Sequence, residues 1–205
     1  MPVPRNALAV LLLTVSMAAV AGCDGSTGGS ASAAPPSGSS ATPARPTTTS
    51  ALPARPREIK LDGLDPCMLW TPEQLAQLAV QPSPVDGGPQ EDAGGYQVCS
   101  YRTPLQADTD LGYSVTAVTD LDATVYLGDS DSAEAKVVEV GGFPSVQETT
   151  EPDNASPCML AISTAPGQHL QIRAETRPGG YSVPQSCELT MKAATLAVQT
   201  LQTLR

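Results

Sequence analysis

The sequence predicts an α+β domain in which an antiparallel sheet is covered on one face by an N-terminal and a long C-terminal helix. Three observations lead to this class. Several runs alternate apolar and polar residues with a period of two, which is typical of strands with one buried face. Two other runs place apolar residues at helical spacing. Four cysteines spread among these elements predict two disulfides.

The first helix is predicted from start signals in Thr71-Pro72-Glu73-Gln74. Thr71 can cap the free amides, Pro72 suits the first helical position, and Gln74 can reach back as in a capping box. We expect the helix to end at the prolines of residues 82–84, and residues 83–95 to form a surface loop. The apolar face that should pack on the domain follows at Leu75, Leu78 and Ala79.

Strand patterns follow the first helix. Gly141-Gly142 is expected to join two of the strands in a hairpin. The predicted strands are residues 97–102, 113–119, 137–140, 143–148, 158–164 and 169–175. The last element, residues 187–204, is predicted to be the helix that covers the sheet, with an apolar face formed by Leu189, Ala193, Leu196, Ala197, Leu201 and Leu204.

Composition along the chain predicts three segments. Residues 1–22 are typical of a signal peptide, because Arg5 supplies a positive start and residues 7–21 form a run of about 15 apolar and small residues, short for a bilayer span. Residues 23–57 consist mainly of Ser, Thr, Gly, Ala and Pro and are predicted to be a disordered linker. Residues 58–205 are long enough to bury a core and should form a single domain.

The end of the predicted signal peptide, Val20-Ala21-Gly22-Cys23, resembles a bacterial lipobox. In a lipobox the cysteine thiol takes a diacylglyceryl group before the signal is removed. Two acyl chains hold a protein on a membrane where one chain does not. We therefore predict a lipoprotein anchored through Cys23 to the outer face of the cytoplasmic membrane, with an ordinary secretory signal or a retained transmembrane anchor as the alternatives.

Charge and composition narrow the expected partners. The formal net charge of −10 disfavours nucleic acid and disfavours a basic surface that grips anionic lipid. Aromatic residues make up only 3%, so rings that could stack on bases or sugars are scarce. The expected partners are the membrane, through the lipid anchor, and an envelope lipid or protein.

Apart from Cys23, four cysteines remain, and an even number in an exported domain predicts two disulfides. No C-x-x-C pair is present, so neither a thioredoxin-like redox site nor a zinc knuckle is indicated. Three pairings are open. Because Cys67 precedes the first helix and Cys187 begins the last one, while Cys99 and Cys158 lie in strand-like runs, we predict Cys67–Cys187 and Cys99–Cys158.

The run Asp65-Pro66-Cys67-Met68-Leu69-Trp70-Thr71-Pro72-Glu73 resembles the opening of an actinobacterial lipoprotein family catalogued as domain of unknown function 3558. Trp70 stands where that family more often has Leu. The resemblance extends over about residues 60–204 and implies an exported, lipid-anchored domain, without supplying an activity. Its later landmarks are Cys99 and Tyr101, the turn Gly141-Gly142-Phe143-Pro144, a strand led by Cys158, and Cys187-Glu188-Leu189.

Candidate catalytic residues are few. A Ser-His-Asp hydrolase needs a histidine held between its nucleophile and a carboxylate. The single histidine, His169, falls among the polar positions of its strand, so we expect it on the solvent-exposed face. No G-x-S-x-G, phosphate-binding loop or H-E-x-x-H motif is present. We predict no enzymatic activity and no cofactor.

One acidic cluster supplies a dense set of oxygen ligands: Asp120, Asp122, Asp129, Asp131 and Glu134. Calcium prefers such ligands. However, Asp129-Ser130-Asp131-Ser132 lacks the glycine and distal glutamate of an EF-hand loop, so a solvated loop without metal is predicted. Asn154-Ala155-Ser156 fits a glycosylation sequon by pattern alone.

Three functions are consistent with these patterns. The one we expect is a non-enzymatic module that binds an envelope component, a lipid or a partner protein in an apolar cleft between helix and sheet. The alternatives are an envelope hydrolase that uses carboxylates only and a structural or regulatory spacer. An apolar cleft without converging acids favours the first function, two facing buried carboxylates favour the second, and a flat surface favours the third.

Overall fold

The computed structural model describes residues 51–104, 110–128, 130, 132–151, 157–176 and 180–205. Every described residue belongs to one compact unit, Thr47–Arg205. Several predicted features therefore lie outside the described residues: the signal peptide, Cys23, Asp129, Asp131 and the sequon at residues 154–156.

The described chain forms one antiparallel sheet. Its strands are β1 (Asp86–Pro89), β2 (Gln97–Arg102), β3 (Leu111–Val118), β4 (Ala133–Val140), β5 (Phe143–Thr150), β6 (Cys158–Ala165) and β7 (Gln168–Thr176). They lie in the order β1-β2-β3-β7-β6-β5-β4, and every neighbouring pair is antiparallel. The predicted α+β class with an antiparallel sheet is confirmed.

Two α-helices are described, α1 (Pro72–Gln77) and α2 (Val183–Leu204), together with 3₁₀ helices at Pro66–Met68, Glu91–Ala93 and Ala123–Leu127. The predicted capping box of α1 is present, with the Thr71 N–H donating to Gln74 Oε1 at 2.9 Å. A second capping box, Ser182 with Gln185, starts α2 at Val183 rather than at residue 187. No described helix is both long and apolar enough to span a bilayer.

The main core lies between the sheet and α2. Small residues, Ala193, Ala194 and Ala197, are fully buried with Leu201 on the inner side of the helix. Because alanine lets the helix backbone approach the sheet closely, the buried side follows the alanines rather than every predicted leucine. Leu204, which was predicted on this apolar face, is 41% exposed.

The β4–β5 hairpin has the predicted two-residue turn. Gly141 and Gly142 have φ values of 58° and 88°, the left-handed conformations that such a tight turn requires. A Cβ on Gly141 would lie 2.7 Å from Val198 Cγ1 of α2, so the turn also needs glycine for space. The turn thereby fixes the hairpin against α2.

Two expectations about the segment after α1 are wrong. Ala79 does not lie on the apolar face, because it takes a left-handed φ of 57° that ends the helix and leaves its side chain exposed. Residues 83–95 are not all loop, since they include β1, which pairs with β2 at the edge of the sheet. Glycine and proline are tolerated in an edge strand, which explains why the composition of this segment concealed it.

The second face of the sheet carries a smaller cluster of buried residues, Ala123, Val146, Met159 and Ala161, with Leu52, Tyr126 and Leu127 packed against it. The end of the predicted linker also contacts the domain. Arg55 Nη2 donates to Ser163 Oγ at 2.7 Å, and Arg57 Nη2 donates to the Gln202 carbonyl at 2.7 Å. Residues 51–57 thus lie against the domain predicted to start at residue 58.

The predicted disulfide pairing is wrong. The bonds are Cys67–Cys99 and Cys158–Cys187, with Cα–Cα distances of 5.1 and 5.2 Å. Cys99 in β2 and Cys158 in β6 are separated by β3 and β7, about 14 Å at the usual strand spacing, whereas a disulfide needs less than about 7 Å. Each strand cysteine instead bonds to the helical segment that packs directly on its own strand.

Candidate functional site

An apolar groove runs between the N-terminal half of α2 and strands β4 and β5. Its volume is about 670 Å³, within the range of about 300–1,000 Å³ that is usual for sites of small ligands. The sequence expectation was an apolar cleft between helix and sheet, and this groove lies in that position. The lining residues are Lys136, Gln147, Thr149, Val183, Pro184, Cys187, Glu188, Met191, Lys192 and Thr195.

The helical wall of the groove follows from the spacing of α2 residues. Pro184, Glu188, Met191 and Thr195 recur every three or four positions, which places them along one side of the helix. This side lies next to the buried alanines, so it faces the sheet obliquely instead of packing on it. Met191 is only partly buried and packs against the edge of the main core.

The floor of the groove is formed by alternate residues of β5. Val146 packs in the smaller cluster on the second face of the sheet, so Gln147 and Thr149 point towards α2 on the other face. Lys136 of β4 is the register partner of Gln147. Because β4 is the last strand of the sheet, Lys136 forms the outer rim of the groove.

The Cys158–Cys187 disulfide forms part of the groove. It joins the start of α2 to β6, with a Cα–Cα distance of 5.2 Å. Cys187 is half-buried and lines the groove, and Gln147 Nε2 donates to its Sγ at 3.3 Å. The disulfide therefore holds the helical wall at a fixed distance from the floor.

The groove has a small local excess of positive charge, two lysines against one acid, although the whole chain is acidic. The sequence has three lysines, and Lys136 and Lys192 both line the groove, together with one acid, Glu188. Lys192 Nζ donates to the Gln77 carbonyl of α1 at 2.6 Å, which leaves two of its N–H donors for other partners. In the described part of the chain neither lysine forms an ion pair.

A second cavity adjoins the groove and shares Thr149 and Val183 with it. Its volume is about 380 Å³, and its lining is more polar, with two acids, Glu134 and Glu151. The two cavities together give a site that changes in charge along its length. Lysines flank the groove, and acids line the cavity beyond Thr149.

His169 is fully buried, so the expectation of an exposed histidine is wrong. The segment that contains the 3₁₀ helix Ala123–Leu127 crosses the second face of the sheet, and His169 Nδ1 donates to the Leu121 carbonyl at 2.8 Å. The Tyr126 ring packs edge-on at 5.5 Å. Burial lowers the pKa of His169, and Nε2 has no hydrogen-bond partner among the described residues. Helix α2 lies on the other face of the sheet, so His169 is not part of the groove.

The predicted acidic cluster is dispersed where the structure describes it. Asp120 accepts a hydrogen bond from the Tyr96 hydroxyl, an interaction that raises the pKa of Tyr96. Asp122 caps the 3₁₀ helix Ala123–Leu127 and pairs with Arg55 at 3.5 Å. Burial alone would raise the pKa of Asp122, but hydrogen bonds from the N–H groups of Thr124 and Gly167, with the Arg55 charge, lower it.

The acids of the described residues do not converge on a metal or on each other. Within the described ranges, no group of three or more His, Cys, Asp or Glu side chains is placed to hold a metal ion. Among the Asp and Glu side chains that the structure describes, none is buried. Glu134 instead lines the polar cavity beside the groove.

Sequence reasoning missed the residues that form the groove, above all Lys136 and Lys192. These two lysines are 56 positions apart and come together only because β4 and α2 lie on either side of the same groove. One signal was present in the sequence: lysine is rare in this chain, and Lys192 follows Met191 on an otherwise mostly uncharged helix. That signal could have identified Lys192 but not its neighbour across the groove.

A protein-family model matches most of the chain. The model of the family described as "Protein of unknown function (DUF3558)" matches residues 18–200. No curated protein and no solved structure matches the chain.

Proposed function

The chain belongs to the DUF3558 family, whose description names no activity, and from that premise we propose a function based on the groove. The protein is a lipoprotein anchored through Cys23 at the outer face of the cytoplasmic membrane. Its folded domain binds an envelope component in the groove between α2 and the β4–β5 hairpin and catalyses no reaction. The groove is the observation that carries this proposal.

The shape and lining of the groove support ligand binding. Val183, Pro184 and Met191 supply apolar surface, and Gln147 and Thr149 supply hydrogen-bonding groups at the floor. A concave apolar surface with a few polar groups that fix orientation is the usual form of a small-ligand site. A spacer would need no such depression.

The proposed location is supported by the residues around Cys23 and by the disulfides of the folded domain. The match to the family begins at residue 18 and so includes the lipobox residues Val20-Ala21-Gly22-Cys23. Two disulfides join the remaining four cysteines, as is usual for proteins of oxidising, extracytoplasmic compartments.

The described end of the linker leaves the groove open. Arg57 contacts Gln202 and Arg205 at the C-terminal end of α2, whereas the groove-lining residues of α2 lie between Val183 and Thr195. At 1.5 Å per residue, Thr195, the groove-lining residue nearest to Gln202, is about 10 Å from it along the helix. None of residues 51–57 lines the groove, and Pro53 and Ala54 line a different cavity with Val137 and Val138 of β4.

Native mass spectrometry of residues 47–205 tests ligand binding. This unit contains the whole described core and both disulfides. We expect a co-purifying small molecule from envelope extracts, and Thr195→Trp should remove it by filling the groove. Gln199→Trp is the matched control, because Gln199 is exposed on the same helix and does not line the groove.

Two results would overturn parts of this proposal. If the Thr195→Trp variant retains the ligand, the groove is not the binding site. If the intact mass of the processed full chain carries no diacylglyceryl group on Cys23, the anchor is wrong, even where the groove binds its ligand.

A further inference from the structure

Resting on the proposed function, we infer the class of ligand: the groove binds an anionic lipid. One acyl chain lies along Val183, Pro184 and Met191, and the anionic head group lies between Lys136 and Lys192. The inference depends on charge and shape together, since neither lysine alone makes a site.

Charge complementarity supports an anionic head group. Two of the three lysines of the chain line one groove, and among its other lining residues only Glu188 is charged. Neither lysine is neutralised by an acid within ion-pair distance in the described part of the chain. In a chain of net charge −10, a lysine on each wall of an apolar groove, neither of them in an ion pair and Lys192 also donating to the Gln77 carbonyl, favours an anion in that groove.

The distribution of polar groups sets the direction of the ligand. Acids Glu134 and Glu151 line the cavity beyond Thr149, so an anionic head group there would meet like charge. Lys136 is paired across the strands with Gln147, and neither of these residues lines the acidic cavity. Lys192 follows Met191 in α2 and does not line that cavity either. The head group is therefore at the lysine end, and the acyl chain runs towards Val183.

Because the whole chain is acidic, we expect the groove to bind individual anionic lipid molecules rather than the surface of an anionic membrane. A net charge of −10 opposes contact between the domain and an anionic bilayer. This repulsion acts at distances below about 8 Å, because salt at physiological ionic strength screens it further away. The two lysines act within hydrogen-bond distance of a bound head group, where screening is weaker. We expect binding to monomeric anionic lipid and little binding to intact anionic vesicles.

The test compares two monoacyl lipids with the same chain, lysophosphatidylglycerol and lysophosphatidylcholine, below their critical micelle concentrations. Isothermal titration calorimetry on residues 47–205 should show about tenfold tighter binding of the anionic lipid, decreasing as salt is raised. The double variant Lys136→Gln, Lys192→Gln should lose that preference. Lys60→Gln is the matched control, because Lys60 is exposed and lies outside the groove.

The outcomes separate this inference from the proposed function. Equal affinity for the two lipids, or an unchanged preference in the double variant, would overturn the anionic ligand and leave the groove as a binding site if Thr195→Trp still abolishes binding. If neither lipid binds and an anionic peptide binds instead, the inference that the ligand is a lipid is also overturned. Thermal denaturation of the Lys192→Gln variant checks that losing the contact to Gln77 has not unfolded α1.

Discussion

The two flanks of α2 are built differently. One side, the filled flank, has residues 66–78 in the space over β2 and β3. There Trp70 packs edge-on against Tyr101 and Tyr113, with distances between ring centroids of 5.7 and 6.3 Å. On the groove flank, the described chain leaves the space over β4 and β5 open. The same helix thus closes the core on one side and forms a concave surface on the other.

Hydrogen bonds strengthen the contrast between the flanks. On the filled flank, Trp70 Nε1 donates to the Ala193 carbonyl and Gln74 Nε2 donates to the Leu196 carbonyl, each at 3.0 Å. On the groove flank, the described contacts to α2 include the Cys158–Cys187 bond and the weak donation from Gln147 to sulfur. Stability is thus concentrated on one side of α2, which leaves the other side available for a ligand.

Trp70→Ala should have the largest effect and tests the filled flank. Trp70 is 3% exposed, so the cavity and the lost hydrogen bond to Ala193 should cost about 3–5 kcal/mol of unfolding free energy. Met191→Ala on the groove flank should cost less than about 1.5 kcal/mol, because Met191 is only half-buried. Urea denaturation of both variants measures the difference, and equal losses would contradict the contrast between the flanks.

Removal of either disulfide should cause the next largest loss of unfolding free energy. Each flank of α2 carries one of the two bonds. The two bonds close loops of similar length, with sequence separations of 32 and 29 residues, so each double Cys→Ala variant should lose about 3–4 kcal/mol. Only the Cys158→Ala, Cys187→Ala variant should also weaken ligand binding, because Cys187 lines the groove. A peptide map under non-reducing conditions checks the pairing, and a Cys67–Cys187 peptide would contradict it.

The smallest effect is a pH dependence that belongs to neither flank. The folded pKa of His169 lies below its ordinary value of 6.5 because burial disfavours the imidazolium. The unfolded chain therefore binds the proton first, and the free energy of unfolding should fall as pH drops below about 6.5. Asp122, whose pKa is also lowered, adds a loss only near and below 3.8.

His169→Gln is the control for this pH dependence. Glutamine does not titrate and can still donate to the Leu121 carbonyl, so the slope of stability between about pH 5 and 7 should disappear. Denaturant titrations at several pH values measure it. Stability of the wild type that does not change over this range would show that the folded imidazole takes up its proton as readily as the unfolded one.

Local sequence signals predicted the individual elements well. Residues 97–102 form β2 with the predicted bounds, and the capping box at Thr71 and the Gly141-Gly142 turn are present as expected. Each of these depends on residues within a few positions, such as a side chain that can satisfy a free amide or a glycine that can take a positive φ. The edge strand β1 was missed because its glycines and proline have the composition of a loop.

His169 shows the limit of patterns with a period of two. Alternation correctly separated the two sides of β7, with Leu170 and Ile172 on one side and His169 on the other. It could not show that residues 119–128 cross that second side, because a covering segment lies elsewhere in the sequence. A polar side of a strand is thus exposed only where no other part of the chain packs on it.

The sequence by itself determined the local elements, the α+β class and the membership of the chain in its family. Tertiary structure alone decided the order of the strands, and with it the disulfide pairing, the burial of His169 and the approach of Lys136 to the same groove as Lys192. The physical reason is the distance along the sequence over which each kind of interaction acts. Caps, turns and alternation act between residues close in sequence, whereas strand order places β2 and β6 about 14 Å apart and brings β4 beside α2.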